Sequence, residues 1–213
     1  MITVLLVAVL SYLVGAIPTS LITGKILKGI DIRQHGSGNA GATNVFRVLG
    51  WKPGVFVLLF DGFKGFAATF WISHILIGSA PFSVEVLQII AGCAAIVGHI
   101  WTVFAAFKGG KGVGTAGGML IALYPVAFLV CIAIFIIMFA ITRIVSVGSI
   151  SAAITLPVTL IIFRFVLNQD VPDPLFVFSF FAAALIIFTH RSNIKRLMNG
   201  TENRFGSKKK KTA

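Results

Sequence analysis

Long apolar stretches constrain this chain more than any other feature. Five are clear, at about 2–24, 53–77, 82–107, 146–167 and 174–190. Each is long enough to cross the ~30 Å hydrocarbon core of a bilayer as a helix. The chain is 57% hydrophobic and only 11% charged, too little polar surface for a soluble domain. The expected fold class is therefore all-α: one polytopic membrane domain over 1–204, with a basic tail at 205–213. The first charged residue is Lys25, so the N-terminus lacks the basic region of a cleaved signal peptide and reads as a retained span.

A sixth stretch, 113–142, is ambiguous because Pro125 interrupts it. Basic residues resolve it through the positive-inside rule. Lys25, Lys28, Arg33, Arg47 and Lys52 place the first loop in the cytoplasm, and Lys108 and Lys111 bring the chain back there. The turn near 78–81 has no base, and the loop 168–174 has two Asp and no base, so both are outside. The tail, with Arg191, Lys195, Arg196, Arg204 and Lys208–Lys211, is inside. Residues 113–142 must then cross an even number of times. Thirty residues are too few for two spans of ~20. The expectation is two short or tilted helices broken near Pro125. That gives seven transmembrane helices (alternatively five plus a re-entrant hairpin), with the N-terminus outside and the C-terminus cytoplasmic.

The net charge of +12 is accounted for by this topology. No basic stripe interleaved with aromatics lies outside the spans, so nucleic acid is not an expected partner, and no obligate protein partner is evident. Cys93 and Cys131 sit inside apolar spans and read as small core residues. The six acidic residues are scattered and the four histidines show no ligand spacing, so neither a metal nor a cofactor is expected.

Two polar runs stand out in so apolar a chain. Gly36–Arg47 reads GSGNAGATNVFR, and Lys108–Gly118 reads KGGKGVGTAGG. Glycine lets backbone N–H groups approach a ligand closely, and hydroxyl, amide, ammonium and guanidinium groups are the usual partners of an anion. Both runs contain G-x-G-x-x-G, but neither sits in a strand–turn–helix unit, so a dinucleotide-binding reading fails its context. A Walker A loop fails as well, because Gly112 follows Lys111. What survives is an anion nest opening a helix at Gly109, Gly110 and Gly112, beside Lys108 and Lys111. Gly114, Gly117 and Gly118 are as well explained by tight helix packing. Asp61 and Lys64, three apart inside a span, are expected to pair on one helical face. His99 reads as a hydrogen-bonded core histidine. No G-x-S-x-G elbow and no His-x4-Asp arrangement occurs, which disfavours chemistry requiring an activated enzyme nucleophile. The topology puts both runs, Arg143–Ser149 and His190–Asn193 on one face, which marks a site for a phosphate at the membrane surface.

These motifs together resemble a known family. GSGNAGATN followed by Arg47, Asp61-Gly-Phe-Lys-Gly65, Gly98-His99 leading to Phe107-Lys-Gly-Gly-Lys-Gly112, Ser146 with Ser149, and His190-Arg-x-Asn193-Ile are similar, in order and over nearly the whole chain, to the bacterial acyl-phosphate:glycerol-3-phosphate acyltransferases. The resemblance implies transfer of an acyl chain from acyl phosphate to the 1-hydroxyl of sn-glycerol 3-phosphate, giving lysophosphatidic acid and inorganic phosphate. This would be the first acylation of phospholipid synthesis, in the bacterial cytoplasmic membrane. It also implies roles. Ser37, Asn39 and the backbone of Gly36, Gly38 and Gly41, with Thr43 and Asn44, hold one phosphate or the reacting carbonyl oxygen. Arg47 and Lys108 supply charge to glycerol phosphate. Gly109, Gly110, Lys111 and Gly112 form a second phosphate nest, Ser146 and Ser149 are further hydroxyl donors, and His190 and Asn193 orient glycerol phosphate. Asp61, Lys64 and His99 are structural or electrostatic. The main rival reading is a transporter of phosphorylated solutes, and a third is a lipid-binding scaffold.

Cysteines placed at 205–213 test the topology. They are expected to react only with reagent on the cytoplasmic side; reaction from outside contradicts it.

Overall fold

The computed structural model describes residues 1–78 and 82–206, which form helices and no strands. Residues 79–81, in the expected outer turn, and 207–213, which include Lys208–Lys211, lie outside the described residues. The helices are α1 (Ile2–Ala16), α2 (Thr19–Lys28), α3 (Ala42–Leu49), α4 (Trp51–Phe70), α5 (Val84–Ile100), α6 (Val113–Leu123), α7 (Pro125–Thr142), α8 (Val145–Ile161), α9 (Asp173–Thr189) and α10 (Arg191–Met198).

Five helical segments are long and apolar enough to cross a membrane: Ile2–Lys28, Trp51–His74, Val84–Ala105, Pro125–Thr142 and Val145–Val166. A sixth appears if α9 and α10, bent by 59°, are taken together. Length and composition therefore stop short of the expected seven. The difference is α6, whose 11 residues rise only about 16 Å, half the hydrocarbon thickness. The helix does break beside Pro125, which begins α7 as its first residue. Proline lacks the N–H that would continue α6, and it forces Tyr124 out of the helical region, to φ −153° and ψ 78°.

The first span is broken where the hydropathy reads straight through. Between α1 and α2, Pro18 leaves the last carbonyls of α1 without helical partners. Two distant side chains satisfy them: Thr102 Oγ1 donates to the Ala16 carbonyl and Lys64 Nζ to the Ile17 carbonyl at 2.9 Å. Backbone breaks persist at membrane depth only where protein supplies such partners.

Glycine brings helices into backbone contact, as expected where dispersion rather than the hydrophobic effect holds helices together. A Cβ on Gly15 would stand 2.1 Å from the Ala95 carbonyl oxygen, and one on Gly98 would stand 2.2 Å from that of Tyr12, so α1 and α5 touch. The α4–α6 contact is as close: a Cβ on Gly65 would meet the Thr115 oxygen at 1.9 Å, and one on Gly118 the Gly62 oxygen at 1.8 Å. Just beneath, Lys64 Nζ lies 2.7 Å from Asp61 Oδ1, and both side chains are buried. The expected pair therefore forms, and His99 joins it, with Nδ1 3.6 Å from the same oxygen.

The polar segments meet at one end of the bundle. Arg33 pairs with Asp31 at 2.7 Å and donates to the Ala105 carbonyl, joining the first loop to the one before α6. Thr189 Oγ1 donates to the Lys111 carbonyl, and the Phe205 amide donates to the Arg143 carbonyl.

Removing one partner of the buried pair strands the other. Asp61→Asn is expected to destabilise the folded protein by about 3–5 kcal/mol, read by denaturation in detergent. Combining it with Lys64→Met is expected to recover part of that loss; an additive double mutant would contradict the coupling.

Candidate active site

A cavity of about 770 Å³ opens where the polar segments converge. Its walls come from the first loop, α3, α4 and the α5–α6 loop with α6, and from α7, α8, α9 and α10. One end is polar, with Ser37, Asn39, Thr43, Arg47, Lys111, Ser146, Ser149, His190, Asn193 and Arg196. The other is apolar, with Leu58, Phe63 and Phe66 of α4, Phe128, Ile132 and Phe135 of α7, and Leu156 and Phe178 of α8 and α9. It ends against a packed core in which Ala127, Leu160 and Leu175 are fully buried. The shape suits a molecule with an anionic head and a long apolar tail.

The first loop is shaped from within. Asn44, at 1% exposure, accepts from the Ser37 amide at 2.8 Å and donates to the carbonyls of Ile32 and His35, each at 2.9 Å. These bonds engage both ends of its amide, so Asn44 is the staple of the loop rather than a free ligand. Gly36 is required here: φ is +64°, and a Cβ would stand 2.3 Å from Asn44 Oδ1. Ser37, Asn39 and Thr43 stand on the cavity lining beside it.

The second run divides. The amides of Gly109 and Gly110 donate to the carbonyls of Ile100 and His99, each at 3.0 Å. A Cβ on Gly109 would stand 2.0 Å from the His99 oxygen, and one on Gly110 would stand 2.1 Å from His99 Nε2. These two glycines close the loop onto α5, so the expected nest loses their N–H groups. It retreats to Gly112, left-handed at φ +83°, and to the free N–H groups of α6's first turn. Gly112, Val113 and Gly114 line the cavity, so this positive helix end faces it.

Beside it, Lys111 Nζ donates to Asn193 Oδ1, and Asn193 Nδ2 donates to Glu202 Oε1 at 2.8 Å. Ser146 Oγ donates to the same oxygen at 3.3 Å, and Arg196 Nε to Glu202 Oε2 at 2.6 Å. Arg47 lies over the Phe205 ring, 5.3 Å from its centroid. His190, 3% exposed, is fixed through Nδ1, 2.8 Å from the Ile186 carbonyl. A carbonyl can only accept, so Nδ1 carries the proton and Nε2 is left as the acceptor. No cavity serine hydrogen-bonds a histidine among the described residues.

The structure thus gathers Ser37, Gly38, Asn39, Gly41, Thr43, Asn44, Arg47, Lys111, Gly112, Ser146, Ser149, His190 and Asn193 around one cavity, with Asp61 and His99 at its wall. Gly36, Lys64, Lys108, Gly109 and Gly110 are not on its lining, and Lys108 is exposed. The sequence reading missed Arg196 and Glu202 as site residues. Arg196 stands one helical turn from Asn193, a spacing that could have suggested it.

A helical membrane bundle with an amphiphile-sized cavity, polar at one end, suits a protein that works on lipid. The chain belongs to the glycerol-3-phosphate acyltransferase family, whose model matches residues 5–200. The glycerol-3-phosphate acyltransferase of Chlorobaculum tepidum is 50% identical, over 98% of this chain and all of the relative. That of Chlorobaculum parvum is 48% identical, over 96% and 97%. Crystal structures of PlsY (YgiH), an integral membrane glycerol 3-phosphate acyltransferase, are similar at 36% identity. The glycerol 3-phosphate form has a TM-score of 0.78 over 95% of this chain and 96% of that one. The lysophosphatidic acid form has a TM-score of 0.79 over 95% of each.

Burial, with Arg196 and Arg47 nearby, lowers the Lys111 pKa from 10.5 to about 8. The ammonium needed for an anion is therefore lost at lower pH than for a free lysine. Glycerol phosphate is already a dianion above pH ~7. Its apparent affinity is expected to fall as pH rises through about 8. In Lys111→Arg, which stays charged, this fall is expected to disappear; an unchanged profile would remove Lys111 from the anion site.

Proposed function

We propose that this acyltransferase moves an acyl chain from acyl phosphate to the 1-hydroxyl of sn-glycerol 3-phosphate, giving lysophosphatidic acid and inorganic phosphate. The observation that carries this reading is the cavity with a cationic head and an apolar tail. Two phosphates need two anion sites, and the polar end offers Ser37, Asn39 and Thr43 on one wall and Lys111, Asn193 and the start of α6 on another. Arg47 and Arg196 stand in the lining with them, and arginine suits bidentate phosphate contact. Exposed Lys108 acts on the approaching anion through its long-range field. The acyl chain occupies the apolar end.

Acyl phosphate is already activated, so no acyl-enzyme is required. The substrate hydroxyl attacks the acyl carbonyl carbon directly; the new C–O bond forms as the phosphate departs with the electrons of the acyl–oxygen bond. The hydroxyl proton passes either to the departing phosphate or to His190 Nε2. Catalysis rests on placing the two groups together and on donors aimed at the developing charge. The polar end faces the cytoplasm of a bacterium in this reading, supported by the basic residues of the first loop, Lys108–Lys111 and residues 191–204. The α6–α7 pair then supplies two of seven crossings.

The purified protein in detergent is expected to release phosphate from palmitoyl phosphate only when glycerol phosphate is present, and to make no lysophosphatidic acid from acyl-CoA. Activity confined to sealed vesicles with a gradient would favour transport. His190→Ala tests the second acceptor: turnover at saturating substrates near that of the parent excludes His190 as an essential base.

A further inference from the structure

The glycines of α6 are not equivalent. Gly118 is demanded by packing, since any Cβ there collides with the backbone of α4. Gly117 is not. A Cβ on it would have one neighbour within 4 Å, Phe128 Cε2 at 3.5 Å, an ordinary van der Waals distance. Its φ lies outside the left-handed range, so the backbone does not require glycine either. A glycine inside a helix costs stability relative to alanine, and here neither packing nor conformation recovers that cost. Gly114, one turn nearer the polar end, is only slightly more confined, 3.4 Å from Asp61 Cβ and 3.7 Å from Leu58 Cδ1.

Both glycines line the cavity, between Leu58 and Phe63 of α4 and Phe128 and Ile132 of α7. What their missing side chains leave is width. Gly117 lies about 7 Å along the axis from Gly112, where the anion-binding end begins. A chain running from that end along α6 into the apolar part passes over it.

We propose that Gly117 determines acyl-donor specificity: its bare backbone is the floor of the acyl groove, and the side chain at 117, opposed by Phe128, sets how long an acyl chain can pass. The proposal rests on the acyl-transfer reading above. Short acyl groups end before residue 117 and are indifferent to it, whereas long ones must cross it. Apolar pocket contacts of this kind discriminate one methylene by about 10–200-fold.

The test uses the full chain in detergent with acyl phosphates of four, eight, twelve and sixteen carbons. In Gly117→Leu, kcat/KM for the sixteen-carbon donor relative to the four-carbon donor is expected to fall about 30-fold or more, with the KM for glycerol phosphate within about 2-fold of the parent's. Adding Phe128→Ala is expected to restore the long donor. If Gly117→Leu fails to elute as a folded species, Gly117→Ala and Gly117→Ser carry the test, with a fall of about 3-fold in the same ratio. An unchanged ratio, or equal loss of all donors by a folded variant, overturns the proposal. Failure of the parent to use any acyl phosphate would instead overturn the functional reading beneath it.

Discussion

The contact of α4 with α6, backbone against backbone, is the interaction on which the rest of the structure depends. Gly62, Gly65 and Gly118 have no side chains to hold the helices apart, so an 11-residue helix sits flush on a 20-residue one. Seated there, α6 points its unsatisfied N–H groups at the polar end and lays its glycine face along the apolar end. The same stretch of α4 carries Asp61 and Lys64. Besides pairing with Asp61, the Lys64 ammonium donates to the Ile17 carbonyl where Pro18 breaks the first span. One helix pair thus fixes the anion-binding end, the groove floor and the N-terminal break together.

Charge at the polar end is arranged with a deliberate excess of cation. Arg47, Lys111 and Arg196 stand in the lining, while the buried Glu202 carboxylate is shared by Arg196, Asn193 and Ser146. A carboxylate bonded by three donors orients them at fixed positions and still leaves the site net positive. Low-dielectric walls strengthen that field toward anions. The cation nearest the helix end, Lys111, has its pKa lowered by burial and by the two arginines. Binding a phosphate relieves that repulsion, so substrate and site stabilise each other's charge.

Much of this was legible in the sequence, where the signal was local. The all-helical class follows from apolar stretches, the α6–α7 break from Pro125, and the Asp61–Lys64 pair from its spacing of three. The gathering of both glycine-rich runs with His190 and Asn193 follows from charge topology. Features that depend on distant partners were not legible. Hydropathy runs unbroken through Pro18 because the groups that satisfy the break, Lys64 and Thr102, lie 47 and 86 residues away. Gly109 and Gly110 look like an anion nest until α5 takes their amides. Asn44 looks like a ligand until the loop folds around it. Glu202, one acid in a basic segment, gains its meaning only when the chain returns over α8 and α10. The glycines of α6 carry one letter and two functions, and only the distance from each to α4 separates them.

The central claim is that one cavity holds an anionic head at the start of α6 and an alkyl chain along its glycine face. A structure of the protein in a lipidic medium with a non-hydrolysable acyl phosphonate tests it most directly. The account predicts the phosphonate within hydrogen-bond distance of a cavity cation or the first amides of α6, and the chain crossing Gly114 and Gly117 toward Phe128. A phosphonate bound away from α6, or a chain lying on the outer surface of the bundle with the cavity left to solvent, would contradict it.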